Sequence, residues 1–205
     1  MRIGLAGKMA SGKDTIGLAL RENKDKEMLL LSFAGGLRDE IAETLKEIKN
    51  NNFIKPDSMP DDLYSLLIEE SKEDKIDVYK RTNRMRQILQ KYGTEYRRKE
   101  KDSYWVDKLE ETIIKNKDKS ICVTDARFEN ELDMLKRQDF YLVKINISDE
   151  EQEKRLRNRD GNSIKRIKHI SESAFEDYKD FNLEIDNNSK TPEEAVEEIL
   201  ENIGG

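Results

Sequence analysis

Apolar residues occur along the chain in two patterns. Four short, nearly unbroken runs, 1–6 (MRIGLA), 28–33 (MLLLSF), 120–124 (SICVT) and 141–147 (YLVKINI), predict buried strands, and 183–186 predicts a brief fifth. Helical spacing predicts helices over 15–21, between the third and fourth strands, over 150–159 and over 191–202. The last helix carries its own start signal: Thr191 as cap, Pro192 at the first helical position and Glu194 completing a capping box. Residues 36–115 lack any comparable strand signal; they are charged, helical in pattern and broken near 55–60 (KPDSMP). Residues 161–170 read as a basic loop. Strands alternating with helices predict an α/β fold with a central parallel sheet of about five strands and helices on both faces. The expected organisation is a single domain over 1–205. Within it, 36–115 forms a helical substrate-binding subdomain and 155–170 a short basic lid. A purely structural helical cap would give the same pattern over 36–115.

Composition narrows the function classes. The chain has 205 residues, 40% of them charged and 35% hydrophobic, enough for a proper core without staples. A formal charge of −6 disfavours nucleic acid and anionic membranes as partners, so a phosphate site must be locally basic. Cys122 stands alone in an apolar run and reads as a buried reduced thiol, and His169 is the only histidine, so zinc is not expected. No apolar run approaches the roughly 20 residues of a membrane span, and no signal peptide is evident at the start, which makes the cytoplasm the expected location. A homodimer is an ordinary expectation that no sequence feature specifies.

The strongest chemical signal follows the first strand. Gly7-Lys8-Met9-Ala10-Ser11-Gly12-Lys13 has the glycine spacing of a phosphate-binding loop and lies between a strand and a helix. Backbone amides there would wrap phosphate oxygens, the helix start would add its positive end, and Lys13 would reach the β- and γ-phosphates of ATP. Asp14 stands where Ser or Thr is usual, which passes the magnesium-ligating hydroxyl to Thr15. Asp14 would cap the helix or point toward magnesium or substrate.

Further motifs follow in order. Asp125 ends the third predicted strand, at the sheet edge where open α/β folds bind ligands. It would hold magnesium through water or contact substrate, and Arg127 would reach a phosphate; a helix cap and a solvated arginine are the alternatives. Arg86, Gln87 and Gln90 lie at helical spacing, with a turn expected at Gly93-Thr94 at the end of their helix, and amides suit base edges because they both donate and accept. Arg97 and Arg98 are candidates for binding a phosphate. Trp105 or Tyr104 would stack on a base or pack in the core. Arg155, Arg157, Arg159, Lys165, Arg166 and Lys168 form a basic run, with Arg155 and Arg159 on one helical face, suited to a lid that neutralises transferring phosphate. Where the acceptor is itself a phosphate oxygen, already anionic, transfer needs no general base.

Taken together, the loop GKMASGKDT, Ser32-Phe33-Ala34 with Leu37-Arg38, the stretch from Arg86 to Glu95 with Arg98 and Trp105, and Thr124-Asp125-Ala126-Arg127-Phe128-Glu129-Asn130-Glu131 resemble the deoxynucleoside monophosphate kinases of bacteriophage type. His169-Ile170-Ser171-Glu172 and Ile185-Asp186-Asn187 fit the same pattern. The resemblance spans nearly the whole chain. It implies a P-loop nucleoside-monophosphate-kinase fold, with ATP and Mg2+ as cofactors and a deoxynucleoside monophosphate as the small-molecule substrate. It also implies that Gly7, Lys8, Ala10, Ser11, Gly12, Lys13, Asp14, Thr15, Arg155 and Asn187 hold ATP, with Asn187 beside the adenine. Phe33, Arg38, Gln87, Gln90, Gly93, Thr94, Arg98, Trp105, Asp125 and Arg127 would then serve the substrate. Lys13, Asp125, Arg127, Arg155 and Arg159 would act in transfer, and Thr15 and Asp125 on the metal. A dephospho-coenzyme A kinase on the same fold and a non-enzymatic nucleotide switch remain as alternatives.

Overall fold

A computed structural model describes residues 1–80, 82–160, 175 and 177–204, the side chains of 159 and 160 excepted. The chain divides into two compact units, Met1–Ser32 with Thr112–Gly205, and Phe33–Glu111.

Among the described residues, the first unit holds a sheet of five strands: β1 (Arg2–Ala6), β2 (Leu29–Leu31), β3 (Ile121–Ala126), β4 (Tyr141–Asn146) and β5 (Leu183–Asp186). The order is β2-β3-β1-β4-β5 and every pairing is parallel. A parallel sheet is covered on both faces, which is why the central strands β1, β3 and β4 read as apolar runs, whereas the edge strand β5 (LEID) alternates. The helices of this unit among the described residues include α1 (Lys13–Asn23), α6 (Glu129–Arg137), α7 (Asp149–Asp160) and α8 (Pro192–Gly204). The chain steps from β1 to β2 in one direction and from β3 to β4 in the other. Right-handed crossovers then put α1 and α6 on opposite faces. Side chains agree. Ile3 and Leu5 join Ile16 and Leu20 of α1 and Val196 and Ile199 of α8 in one core. Gly4, between them, faces the other way, where a Cβ would stand 3.0 Å from Leu135 of α6. On α1 a Cβ at Gly17 would meet Thr124 Cγ2 at 2.6 Å, so a glycine is what lets this helix lie so close to β3. Cys122 is fully buried in that core, and burial, then the nearby Asp14 carboxylate, pushes its thiol up to about 12.

The second unit is helical: α2 (Phe33–Lys49), α3 (Asp61–Ser71), α4 (Asn83–Gln90), a π-helical segment (Lys91–Arg98) and most of α5 (Tyr104–Lys115). The helical insert was expected over 36–115. The predicted second strand, 28–33, is cut to three residues because Phe33 opens α2 and buries its ring to 6% exposure. The predicted break at 55–60 lies between α2 and α3, which starts after Pro60. Thr82 caps α4, its Oγ1 accepting from the Met85 amide at 3.2 Å. The expected turn at Gly93-Thr94 is absent: α4 runs on as a widened π-helix through Arg98. Wide turns accommodate an outside hydrogen bond, and here the Gly93 carbonyl accepts from the Trp105 indole at 3.0 Å. No helix among the described residues is long and apolar enough to cross a membrane.

Candidate phosphate-binding site

Residues 7–12 connect β1 to α1 at the carboxyl edge of the sheet. The chain leaves β1 toward β2 and leaves β4 toward β5, so a crevice opens above the ends of β1 and β4, where open sheets take ligands. The loop uses left-handed backbone at Ala10 (φ 62) and Gly12 (φ 96), and Gly7 has φ 151. Gly12 is the residue before the first turn of α1, and a Cβ there would stand 2.7 Å from the Asn187 amide nitrogen. Glycine is therefore required both by conformation and by space.

Lys13, 6% exposed, folds its ammonium back across this loop. Its Nζ donates to the carbonyls of Gly7 and Lys8, both at 2.7 Å, and to Ser11 Oγ at 3.3 Å. A held ammonium at the positive end of an eleven-residue helix makes a ready anion site. Other side chains brace the loop. Lys8 pairs with Asp149 at 3.0 Å, Gln152 donates to the Met9 carbonyl at 2.9 Å, and Asn187 donates to the Ser11 carbonyl at 2.7 Å. Arg155 reaches the carbonyls of Asn187 (2.6 Å), Asn188 (3.2 Å) and Ala10 (3.5 Å), with its Nε on Glu151 at 3.0 Å. Asn187 is 5% exposed, so its side chain faces the loop itself.

Asp14 does not cap α1, whose start has no side-chain cap. Its carboxylate accepts instead from Thr124 Oγ1 at 2.9 Å. Thr124 and the half-buried Asp125 sit where the register of β3 against β1 slips by one residue, Gly4 facing Val123 and Ala6 facing Ala126. Such an irregularity re-aims side chains, here at the edge that carries the loop. Thr15 is exposed on the first turn of α1. Arg127, also half-buried, lies just before α6, and its amide and that of Phe128 donate to Glu131 Oε2 at 2.8 and 3.2 Å. Glu131 is thus the group that caps α6. Among the described residues no three His, Cys, Asp or Glu side chains gather as a metal cage. Magnesium held mainly by substrate phosphates needs only one or two protein ligands, and the exposed Thr15 and half-buried Asp125 are the candidates for that role.

The remaining candidates lie on the helical unit. Gln87 and Gln90 are exposed on α4. Arg38 donates to the Val78 carbonyl and lies over the Tyr79 ring at 5.1 Å. Arg98, its side chain 8% exposed, donates to the Asp102 carbonyl at 3.1 Å. Gly93 is buried and Thr94 half-buried on the π-helix. Trp105 is 4% exposed and packs edge-on against Tyr104 at 4.8 Å. With its ring enclosed and its N–H engaged, Trp105 takes the core-packing alternative of the two that its sequence position left open.

This unit also holds a network centred on Glu40. Its carboxylate accepts from Tyr92 (3.2 Å), Tyr104 (2.9 Å), Arg97 (2.6 Å) and Lys108. Burial pushes its carboxyl up, but Lys108, Tyr104 and Arg97 outweigh that and hold it below the ordinary value. Burial, then Glu40, pushes the Tyr104 phenol up to about 12. The network borders a cleft of about 330 Å³, lined by Asp39, Glu40, Glu43 and Glu47 against only Arg97 and Lys108 as cations. Four carboxylates facing two cations repel a phosphate, so Arg97 here is a partner of Glu40.

The sequence reading gave no role to Gln152, Glu131 or Glu40. Gln152 lies three residues before Arg155 and shares its helical face, and Glu131 has capping-box spacing three residues after Phe128, so both carried a local signal. Glu40 carried none. Lys165, Arg166, Lys168 and His169, the side chain of Arg159, and 161–174 generally lie outside the described residues, so the expected lid is described only as far as α7. Arg157 there pairs with Glu153 at 2.5 Å. No protein-family model matches the chain, and no curated protein matches it in sequence.

Proposed function

We propose that the protein is an ATP-dependent deoxynucleoside monophosphate kinase, built on a P-loop kinase fold. The observation that carries this is the loop over 7–13: left-handed backbone at Ala10 and Gly12, a helix N-terminus behind it, and the Lys13 ammonium held across it. Loop amides and Lys13 would neutralise the β- and γ-phosphates of ATP, which is most of what phosphoryl transfer asks of a protein. Bound magnesium would add positive charge against those phosphates, with Thr15 and Asp125 as the residues that hold it. Arg127 is positioned by the same strand end and would contact transferring or acceptor phosphate. On the helical unit, the exposed amides of Gln87 and Gln90 would read the base, with Arg38, Arg98, Phe33 and the Gly93-Thr94 segment completing the acceptor set. The acceptor oxygen is anionic, so alignment replaces a general base.

The test is ADP release from MgATP with dAMP, dGMP, dCMP, dTMP, their ribose counterparts and dephospho-coenzyme A. Rapid turnover with at least one deoxynucleotide is expected. Turnover with dephospho-coenzyme A alone would replace the substrate, and ATP binding without turnover on any acceptor would replace the enzyme with a nucleotide-binding switch.

A further inference from the structure

Three consecutive carbonyls of the phosphate loop are each held by a different side chain. Gln152 donates to Met9 O at 2.9 Å, Arg155 reaches Ala10 O at 3.5 Å, and Asn187 donates to Ser11 O at 2.7 Å. Lys13 takes the two carbonyls before them, Gly7 and Lys8. The first two braces belong to a register: Asp149, Gln152 and Arg155 recur every third residue of α7 and meet Lys8, Met9 and Ala10 in turn. The third arrives from the end of β5, where the Asn187 amide donates to Asn146 O at 2.9 Å and so fixes the residue before its side chain turns to the loop.

Peptide planarity gives these contacts a consequence for the ligand. In a trans peptide the carbonyl and the following N–H point in opposite directions, so holding one aims the other. Clamping Met9 O and Ser11 O therefore sets the amides of Ala10 and Gly12. Ala10 lies between the two clamps in left-handed backbone, which an alanine adopts only at a cost of about 1 kcal/mol or more. Gln152 and Asn187 are 1% and 5% exposed, and Gln152 Oε1 and Asn187 Oδ1 are buried without a hydrogen-bond partner among the described residues. A half-satisfied buried amide lowers stability, so its use lies in the half that is engaged.

We propose that Gln152 and Asn187 are positioning residues for polyphosphate binding: their side-chain amides hold the loop carbonyls and thereby aim the loop amides at the phosphates. This rests on the phosphate-loop function proposed above. It assigns Gln152 a role and moves Asn187 from the adenine to the loop.

The test measures binding of MgATP and of inorganic tripolyphosphate by calorimetry to wild type, Gln152→Met, Asn187→Ala and Lys13→Ala. Methionine matches glutamine in length and lacks the donor. Each positioning variant is expected to weaken both probes by the same factor, about tenfold, the worth of one aligning hydrogen bond. The Michaelis constant for the monophosphate should stay within about twofold, a split that general loosening of the fold would not produce. Should Gln152→Met fail to fold, Gln152→Asn keeps the amide but stops one methylene short, and the same loss is expected. Unchanged tripolyphosphate binding in folded variants would overturn the inference, and loss for ATP alone would return Asn187 to the base. Binding lost in Lys13→Ala but intact in both positioning variants would refute this inference and leave the loop's function standing. A wild type that binds neither probe would remove both.

Discussion

The two units solve the problem of placing polar groups in opposite ways. Around the loop of the sheet unit, the working contacts run from side chain to backbone: Lys13, Gln152, Arg155 and Asn187 all donate to carbonyls. In the helical unit the largest polar network runs from side chain to side chain, with Glu40 drawing in Tyr92, Arg97, Tyr104 and Lys108. A site made of backbone needs particular φ values, and glycine spacing advertises those in the sequence. A site made of side chains needs only that distant positions meet after folding. The molecule supplies one native reporter for each: its single tryptophan, Trp105, lies in the helical unit, and its single cysteine, Cys122, in the sheet unit. Fluorescence and thiol labelling can therefore follow the two separately.

The largest effect is expected at the loop. Lys13→Ala removes an ammonium that pins two carbonyls and that would face the phosphates in the proposed reaction, and turnover should fall by about a thousandfold or more. The sheet core does not include Lys13, so Cys122 labelling in the native protein should remain as slow as in wild type. Full activity in this variant would end the phosphate-loop assignment.

The counterpart in the helical unit is Glu40→Ala. It strands Arg97 and two tyrosines at a site where the carboxylate is 13% exposed, and should cost about 2–3 kcal/mol in denaturant unfolding followed by Trp105 fluorescence. The same network has a pH signature. The folded carboxyl of Glu40 lies below its ordinary 4.5, so its contribution is complete above that value and is lost as pH falls through the lower folded value. Wild type should lose stability over this acid window, and Glu40→Gln should lose less. Parallel acid profiles for the two proteins would show that Glu40 is not the group responsible.

A smaller, kinetic contrast is expected at Arg98. Removing a guanidinium that would bind the acceptor phosphate should raise the Michaelis constant for the monophosphate about tenfold and that for ATP little. An equal rise for both would reduce Arg98 to its contact with Asp102.

Much of this was legible. Five strands, the long helical stretch and the loop follow from apolar runs and glycine spacing, and the Thr191 capping box forms as spaced, Thr191 Oγ1 accepting from the Glu194 amide at 3.2 Å and Glu194 from the Thr191 amide at 2.8 Å. The misses have a common cause. Phe33 belongs by propensity to either a strand or a helix, and burial in the helical unit decides. Gly93-Thr94 looks like a turn, yet the chain stays helical because the Gly93 carbonyl has a partner twelve residues away. Asp14 has the position of a cap but finds Thr124, 110 residues on. In each case a contact remote in sequence outranks a local preference.

Trp105→Phe turns that last point into the finest measurement. Phenylalanine keeps an aromatic ring in the core but deletes the indole N–H that donates to Gly93 O. A widened helix leaves carbonyls in need of outside partners, so the orphaned Gly93 oxygen should cost about 1 kcal/mol, plus a packing loss from the smaller ring. Phenylalanine is fluorescently silent, so stability is read here by circular dichroism. Trp105→Leu separates the two contributions, since it removes the N–H and the aromatic ring together. If the hydrogen bond matters, both variants should lose that common increment and differ only by packing. If Trp105→Phe is as stable as wild type, the π-helix holds itself together without the indole, and the widened turn must be traced to the close approach of Leu37 to Gly93, where a Cβ would stand 3.0 Å from Leu37 Cδ2.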